Sequence, residues 1–169
     1  MKLSTVKIIS LNVQGMRDLN KRLLFQQWLD CFNPSIICLQ VTHSTSEHEI
    51  KEWFKDTPYS IASSPGSINS AGVAILFKNT IKCEQSWRDK AGRFIISDLN
   101  LGNYTIRIVN VYGPNKQKDG IHYFESLYQA LDPNTPTFFC GDFNVVPSDT
   151  LDRLDAVLHR PIRIIGPLL

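Results

Sequence analysis

Several signals that would place this chain in a specialised class are missing. It has no CxxC pair and no Cys/His spacing of the kind that holds zinc; its four cysteines, Cys31, Cys38, Cys83 and Cys140, stand far apart. Cys38 and Cys140 lie inside apolar runs, so the expectation is buried, reduced thiols in an intracellular protein, not disulfides. No apolar stretch reaches the roughly 18 residues of a membrane-spanning helix. The opening MKLSTVKIISLNV lacks the long apolar segment and small-residue cleavage site of a secretory leader. A membrane partner and secretion are therefore not expected. A dominant charge is missing too: 18 Lys and Arg against 16 Asp and Glu leave a net charge of +2, which permits nucleic acid as a partner without pointing to it. There is no repeat, linker or low-complexity tract, and 169 residues suffice for one core but not comfortably for two. A single domain over residues 1–169 is expected.

What is present is an alternation of short apolar runs. Val6 to Val13 (VKIISLNV) is rich in β-branched residues and reads as a buried strand. Leu24, Trp28 and Phe32, flanked by Phe25 and Leu29, give one apolar helix face closed by Asn33-Pro34. Ser35 to Gln40 is a second apolar strand, and Ser46 followed by Glu49 fits a capping box that opens a short helix. Further strands are expected at Tyr59–Ser63, Gly72–Phe77, Ile81–Trp87, Phe94–Leu101, Tyr104–Tyr112 and Thr137–Cys140. Leu101-Gly-Asn-Tyr104 reads as a hairpin turn, and Phe124, Leu127, Tyr128 and Leu131 as another helix face. Helices among the early strands and hairpins later predict an α/β fold: a layered sandwich of two mixed β-sheets flanked by helices.

Four apolar runs end in side chains able to hold a metal or a phosphate: Leu11-Asn12-Val13-Gln14-Gly15, Leu39-Gln40-Val41-Thr42-His43, Val111-Tyr112-Gly113-Pro114-Asn115 and Cys140-Gly141-Asp142-Phe143-Asn144. Sites of α/β proteins gather at the carboxyl ends of strands, where the packed sheet interior gives way to open space. Each tip alone also fits an ordinary turn: Asn12 with Gly15, Tyr112-Gly-Pro, and Gly-Asp-Phe-Asn as an Asx turn. Together, in one short chain, they are hard to assign to turns.

Asn12 in LNVQG, the LQxTH tip, Arg107 to Asn115 in RIVNVYGPN and Gly141 to Asn144 in GDFN resemble the endonuclease/exonuclease/phosphatase family. Ser70 to Phe77 (SAGVAILF) and Leu151-Asp152-Arg153 are similar to its apurinic-type endonuclease branch in LINE-like non-LTR retrotransposons. The resemblance implies phosphodiester hydrolysis with Mg²⁺ or Mn²⁺, and DNA as the partner. It implies that Asn12 helps hold the metal, that Asp142 orients or deprotonates the attacking water, and that Asn144 fixes the phosphate. It also implies that Tyr112 donates to a phosphate oxygen, and it leaves His43 a supporting role behind these groups. Charge neutralisation on the pentacoordinate transition state is the largest catalytic effect in such sites. A working element of this lineage would need access to nuclear DNA.

Two departures bear on activity. The family places glutamate where this chain has Val41, and valine offers a metal nothing. The family also carries a late aspartate and an Asp-His pair that the resemblance does not find here, so the second sheet is expected to be incomplete and the C-terminal part of the domain missing. Of the four histidines, none has the setting of that late imidazole. The expectation is an impaired endonuclease. Two other readings stay open: a phosphatase or phospholipid phosphodiesterase of the same superfold, and a non-catalytic remnant that binds DNA, for which Lys116 and Lys118 are candidate phosphate contacts.

Overall fold

A computed structural model describes residues 5–114, 123–125, 127–129, 131 and 134–144. The element order is β1 (Ile8–Asn12), α1 (Leu19–Phe32), β2 (Ile36–Gln40), α2 (Glu47–Trp53), β3 (Tyr59–Ser64), β4 (Val73–Lys78), β5 (Lys82–Arg88), β6 (Phe94–Asn100), β7 (Thr105–Tyr112) and β8 (Thr137–Asp142). Residues 123–125 and 127–129 are helical. The expected strands of the middle of the chain fall within a residue or two of their places. Among the described residues no helix is long and apolar enough to cross a membrane.

Two mixed sheets of four strands form, in the orders β1-β2-β4-β3 and β5-β6-β7-β8. Each has one parallel pair at one edge, β1 with β2 and β7 with β8, and is otherwise antiparallel. The periodicity of the sequence explains the layering. Ile37 and Leu39 of β2, with Ala74 and Leu76 of β4, face outward onto Leu29, Phe25 and Trp28 of α1 and Ile50 of α2. Their neighbours Ile36, Cys38, Val73, Ile75 and Phe77 face inward onto Ile95, Leu99, Ile106 and Ile108 of the second sheet. The outer face of that sheet, Ile96, Val109 and Val111, is covered by Leu127 with Tyr123, Phe124 and Leu131. Because β2 and β4 are buried on both faces, they read as continuous apolar runs and not as alternation.

The helix ends follow local chemistry. Asp18 caps α1 by accepting from the Lys21 N–H at 2.7 Å, and Asn33 ends it in a left-handed conformation, donating to Leu29 O at 2.8 Å. The buried face of α1 is centred on Leu29, Phe25 and Trp28, while Leu24 and Phe32 are exposed; the i, i+4 row was displaced by one position, since a helix stripe covers about a third of the turn. Tyr128 is likewise exposed beside the buried Leu127. Cys31 lies on the exposed side of α1, unlike the buried thiol expected of it.

Both sheets are joined at their centre by a polar strut. Gln40 Nε2 donates to Asn110 Oδ1 at 2.7 Å, and Asn110 Nδ2 donates to Leu39 O at 2.9 Å and Ala74 O at 2.8 Å. Both residues are wholly buried, and such groups are tolerated only when their hydrogen bonds are complete. Gln40, grouped by sequence with the polar tips, is thus a structural residue. Among the described residues β1 and β8 have a strand neighbour on one side only.

Candidate active site at the tips of β1, β2, β7 and β8

Asn12 closes β1. Its Oδ1 accepts from the Gln14 N–H at 3.1 Å, an Asx turn, and its Nδ2 donates to Asp142 Oδ2 at 2.8 Å. A backbone N–H can only donate, so that turn fixes which end of the amide faces Asp142. Gln14 and Gly15 then take left-handed backbone at φ 47° and 88°. Gly15 is needed for space as well, because a Cβ there would stand 2.8 Å from His43 Nδ1.

Asp142 ends β8, and its carboxylate is shared between the two sheets. Oδ2 faces Asn12, while Oδ1 accepts from the Asn144 N–H at 3.2 Å. Asn144, at φ 50°, sends its side-chain amide to Gly113 O at 2.8 Å, and the Gly113 N–H returns to Asp142 O at 2.7 Å. Gly141 lets β8 approach so closely: a Cβ there would meet Val111 O at 2.1 Å. Tyr112 is the parallel partner of Asp142 in the β7/β8 register, so both side chains leave the same face of the sheet. The Arg93 guanidinium lies 5.3 Å from the centre of the Tyr112 ring and donates to Gly113 O at 3.1 Å.

The β2 tip is held by backbone. Val41 O accepts from Gly15 N at 2.6 Å, Thr42 N donates to Gly72 O at 2.9 Å, and His43 N donates to Ala71 O at 3.1 Å. Thr42 O accepts from Met16 N at 2.9 Å. Val41 and His43 both adopt φ 58°, a conformation that costs a β-branched residue on the order of 1–3 kcal/mol and persists only where the surroundings impose it. The His43 ring rests on Gly15, and its carbonyl accepts from Arg17 Nη1 at 3.1 Å. Among the described residues its imidazole makes no hydrogen bond to Asn12 or Asp142.

Arg17 also pairs with Glu49 at 2.7 Å and stacks on Trp53 at 5.9 Å. Burial acts to raise the Glu49 carboxyl, but the Thr45 N–H and hydroxyl and then Arg17 outweigh it and hold the group below its usual range. Glu47 pairs with Arg88. Glu47 and Glu49 of α2 are thus engaged by cations and are not free to serve as a carboxylate at position 41. Arg17 was missed in the sequence because a lone arginine in a loop carries no pattern.

Asn12, Asp142 and Asn144 are therefore linked by hydrogen bonds, Tyr112 joins them through its register, and Val41 and His43 lie beside them through Gly15. Asn115, Lys116, Lys118, His122, Leu151-Asp152-Arg153 and His159 lie outside the described residues. Among the linked groups the Asp142 carboxylate is the one anionic oxygen donor, since Asn12 turns its amide nitrogen to it and its amide oxygen to the Gln14 N–H. Mg²⁺ is held by one or two carboxylates in addition to water and substrate oxygens. Among the described residues no group of three or more His, Cys, Asp and Glu side chains is placed to bind a metal. The donor set at hand falls short of a strong divalent-cation site.

Comparison with known proteins agrees with this geometry. The model of the Endonuclease/Exonuclease/phosphatase family matches residues 9–161. An AP endonuclease from Archaeoglobus fulgidus is similar over 86% of this chain and 60% of its own, at 25% identity and a TM-score of 0.69. D. rerio TDP2, in complex with a single-strand DNA product, is similar over 83% of this chain and 61% of its own, at 16% identity and a TM-score of 0.63. The human Nocturnin catalytic domain with bound sulfate is similar over 85% and 65%, at 16% identity and a TM-score of 0.61. The chain thus spans about three fifths of the length of the AP endonuclease it matches. It belongs to the endonuclease/exonuclease/phosphatase family.

Proposed function

As a member of the endonuclease/exonuclease/phosphatase family, this chain is, we propose, built on the plan of a divalent-metal-dependent DNA endonuclease of the LINE-like retrotransposon type, with its chemistry impaired by Val41. The observation that supports this most is the 2.8 Å bond between Asn12 and Asp142, which brings together strand ends of two different sheets. In this reading the partner is DNA and the setting is intracellular with access to nuclear DNA. The cation is Mg²⁺ or Mn²⁺, which when bound would lower the negative charge on the scissile phosphate.

The chain's own groups divide the work as follows. Asp142 Oδ1 and Oδ2 hold the attacking water by hydrogen bond and take its proton. The Asn144 amide fixes a phosphate oxygen, and the Tyr112 hydroxyl donates to another. Asn12 keeps the Asp142 carboxylate aimed, its own amide oriented by the Gln14 N–H. His43 fills the space over Gly15 and supports the loop that carries Asn12. Valine at position 41 supplies neither oxygen nor charge, and this favours a second reading, DNA binding without cleavage.

Supercoiled-plasmid nicking tests the proposal. The chain as it stands is expected to nick weakly or not at all in Mg²⁺. Val41→Glu, continued through an Asp-His segment of the kind the family resemblance implies, is expected to nick, and Asp142→Ala to abolish that activity. Strong nicking by the unaltered chain, lost in Asp142→Ala, would contradict the impairment. Release of phosphate from phosphoinositides in place of nicking would contradict the choice of DNA. Salt-sensitive DNA retention without nicking by the repaired chain would favour the second reading.

A further inference from the structure

Cys38 and Cys140 are free thiols on different sheets, and both point into the space between them. Cys38, on β2, is wholly buried; Cys140, on β8, is partly exposed and packs against the same inter-sheet cluster. Their side chains thus meet the same apolar cluster from opposite sheets. Strands β2 and β8 pack against each other across the space between the sheets. The backbone on either side is fixed by the polar strut. Gln40 Nε2 donates to Cys38 O at 3.1 Å, and Asn110, the register partner of Cys140, donates to Leu39 O at 2.9 Å. The other two thiols are elsewhere: Cys31 is exposed on α1, and Cys83 on β5 contacts Ser86 at 3.2 Å.

We propose that Cys38 and Cys140 form a two-electron oxidation site, at which a peroxide converts the thiol pair into one disulfide joining the two sheets beneath the candidate active site. The sulfur of Cys140, the less buried residue of the two, attacks one oxygen of the peroxide. The O–O bond breaks, water leaves, and Cys140 becomes a sulfenic acid. The Cys38 sulfur then attacks that sulfur, displacing a second water as the S–S bond forms. Two thiols lose two electrons and two protons, and one hydrogen peroxide is reduced to two waters. The order of events follows from burial, Cys38 being wholly enclosed and Cys140 less so. The acidities run the same way: the interaction with Cys38 holds the Cys140 thiol below its ordinary value against the effect of burial, and the interaction with Cys140, then burial, pushes the Cys38 thiol well above its own. A thiol with more thiolate character reacts first, and its neighbour resolves it. The bond would fix β2 to β8 two residues before Gln40 and Asp142, so the separation of the two sheets under the site would become insensitive to ligand.

The test uses the full chain treated with hydrogen peroxide, alkylated, and digested without reduction for mass spectrometry. A peptide pair linked through Cys38 and Cys140 is expected, reversed by a thiol reductant, with free thiols falling from four to two. Closing a loop of roughly 100 residues should raise Tm by about 10 °C. Cys38→Ser should yield no linked pair and leave Cys140 trapped by dimedone as a sulfenic acid. The Cys31→Ser/Cys83→Ser double variant leaves the inter-sheet pair intact and must still form the link. Three results would overturn the proposal: Cys140 oxidised to the sulfinic acid while Cys38 remains alkylatable, dominant links through Cys31 or Cys83, or a linked species that melts below the reduced one.

Discussion

The tips after β2 and β8 make an instructive pair. Both follow buried strands, both use left-handed backbone at a non-glycine residue, Val41 in one and Asn144 in the other, and both are tied to a neighbouring loop. In the β8 tip the side chains themselves make the ties: Asp142 and Asn144 bond to Asn12 and to Gly113. In the β2 tip the ties are almost all main chain, to Gly15, Met16, Ala71 and Gly72. The difference explains how the β2 tip can keep its shape whatever side chain position 41 carries. A geometry written in backbone hydrogen bonds survives substitution; a geometry written in side chains does not.

Breaking the support common to both tips should have the largest effect. Asn110→Ala removes the strut on which β2 and β7 meet and leaves Leu39 O, Ala74 O and the Gln40 amide buried without that partner. A loss of about 3–5 kcal/mol in urea unfolding is expected. A loss under 1 kcal/mol would mean that the sheets hold together through their apolar faces alone.

A smaller change, of opposite sign, sharpens the contrast at the β2 tip itself. Val41→Gly relieves a left-handed valine at φ 58°, and after the entropic cost of glycine the chain should gain about 1 kcal/mol, read as a rise in Tm. A fall in Tm would show that the valine side chain contributes packing at that tip.

The smallest effect concerns Glu49, which anchors Arg17 behind the β2 tip. Its folded carboxyl lies below the ordinary value of 4.5. A depressed carboxyl contributes stability that is complete above the unfolded value and is lost as pH falls through the folded one. Glu49→Gln should therefore lower stability slightly at neutral pH and flatten its decline below about pH 4.5. Denaturant midpoints measured from pH 3 to pH 7 would check this, and parallel curves for the two proteins would refute it.

Much of the fold was legible because period and burial coincide. The β2 run IICLQ and the β4 run VAILFK had to be interior strands, and Ser46 with Glu49 marked the start of α2, where Ser46 Oγ accepts from the Glu49 N–H at 3.1 Å. The Glu49 carboxylate, however, reaches the N–H of Thr45 and not of Ser46. The site residues were legible as strand tips, and the Asn12–Asp142 meeting joins positions 130 residues apart, which no local pattern encodes. Gln40 was misplaced because a polar residue at a strand end looks the same whether it faces a site or a buried partner. The exposed Leu24 and Phe32 were misplaced because a helix stripe can rotate by one residue at little cost in pattern.

The proposed function stands on strand tips that hydrogen bonds hold together, with Val41 at the position proposed to limit cation binding. Mn²⁺ binding, followed by electron paramagnetic resonance, tests that most directly, because it needs no catalysis. Loss of a mere supporting partner costs about 10- to 100-fold in affinity, so restoring a direct carboxylate with Val41→Glu should tighten Mn²⁺ by at least about 10-fold, and Asn12→Ala in that background should reverse the gain. Equal affinities for the unaltered chain and Val41→Glu would contradict it.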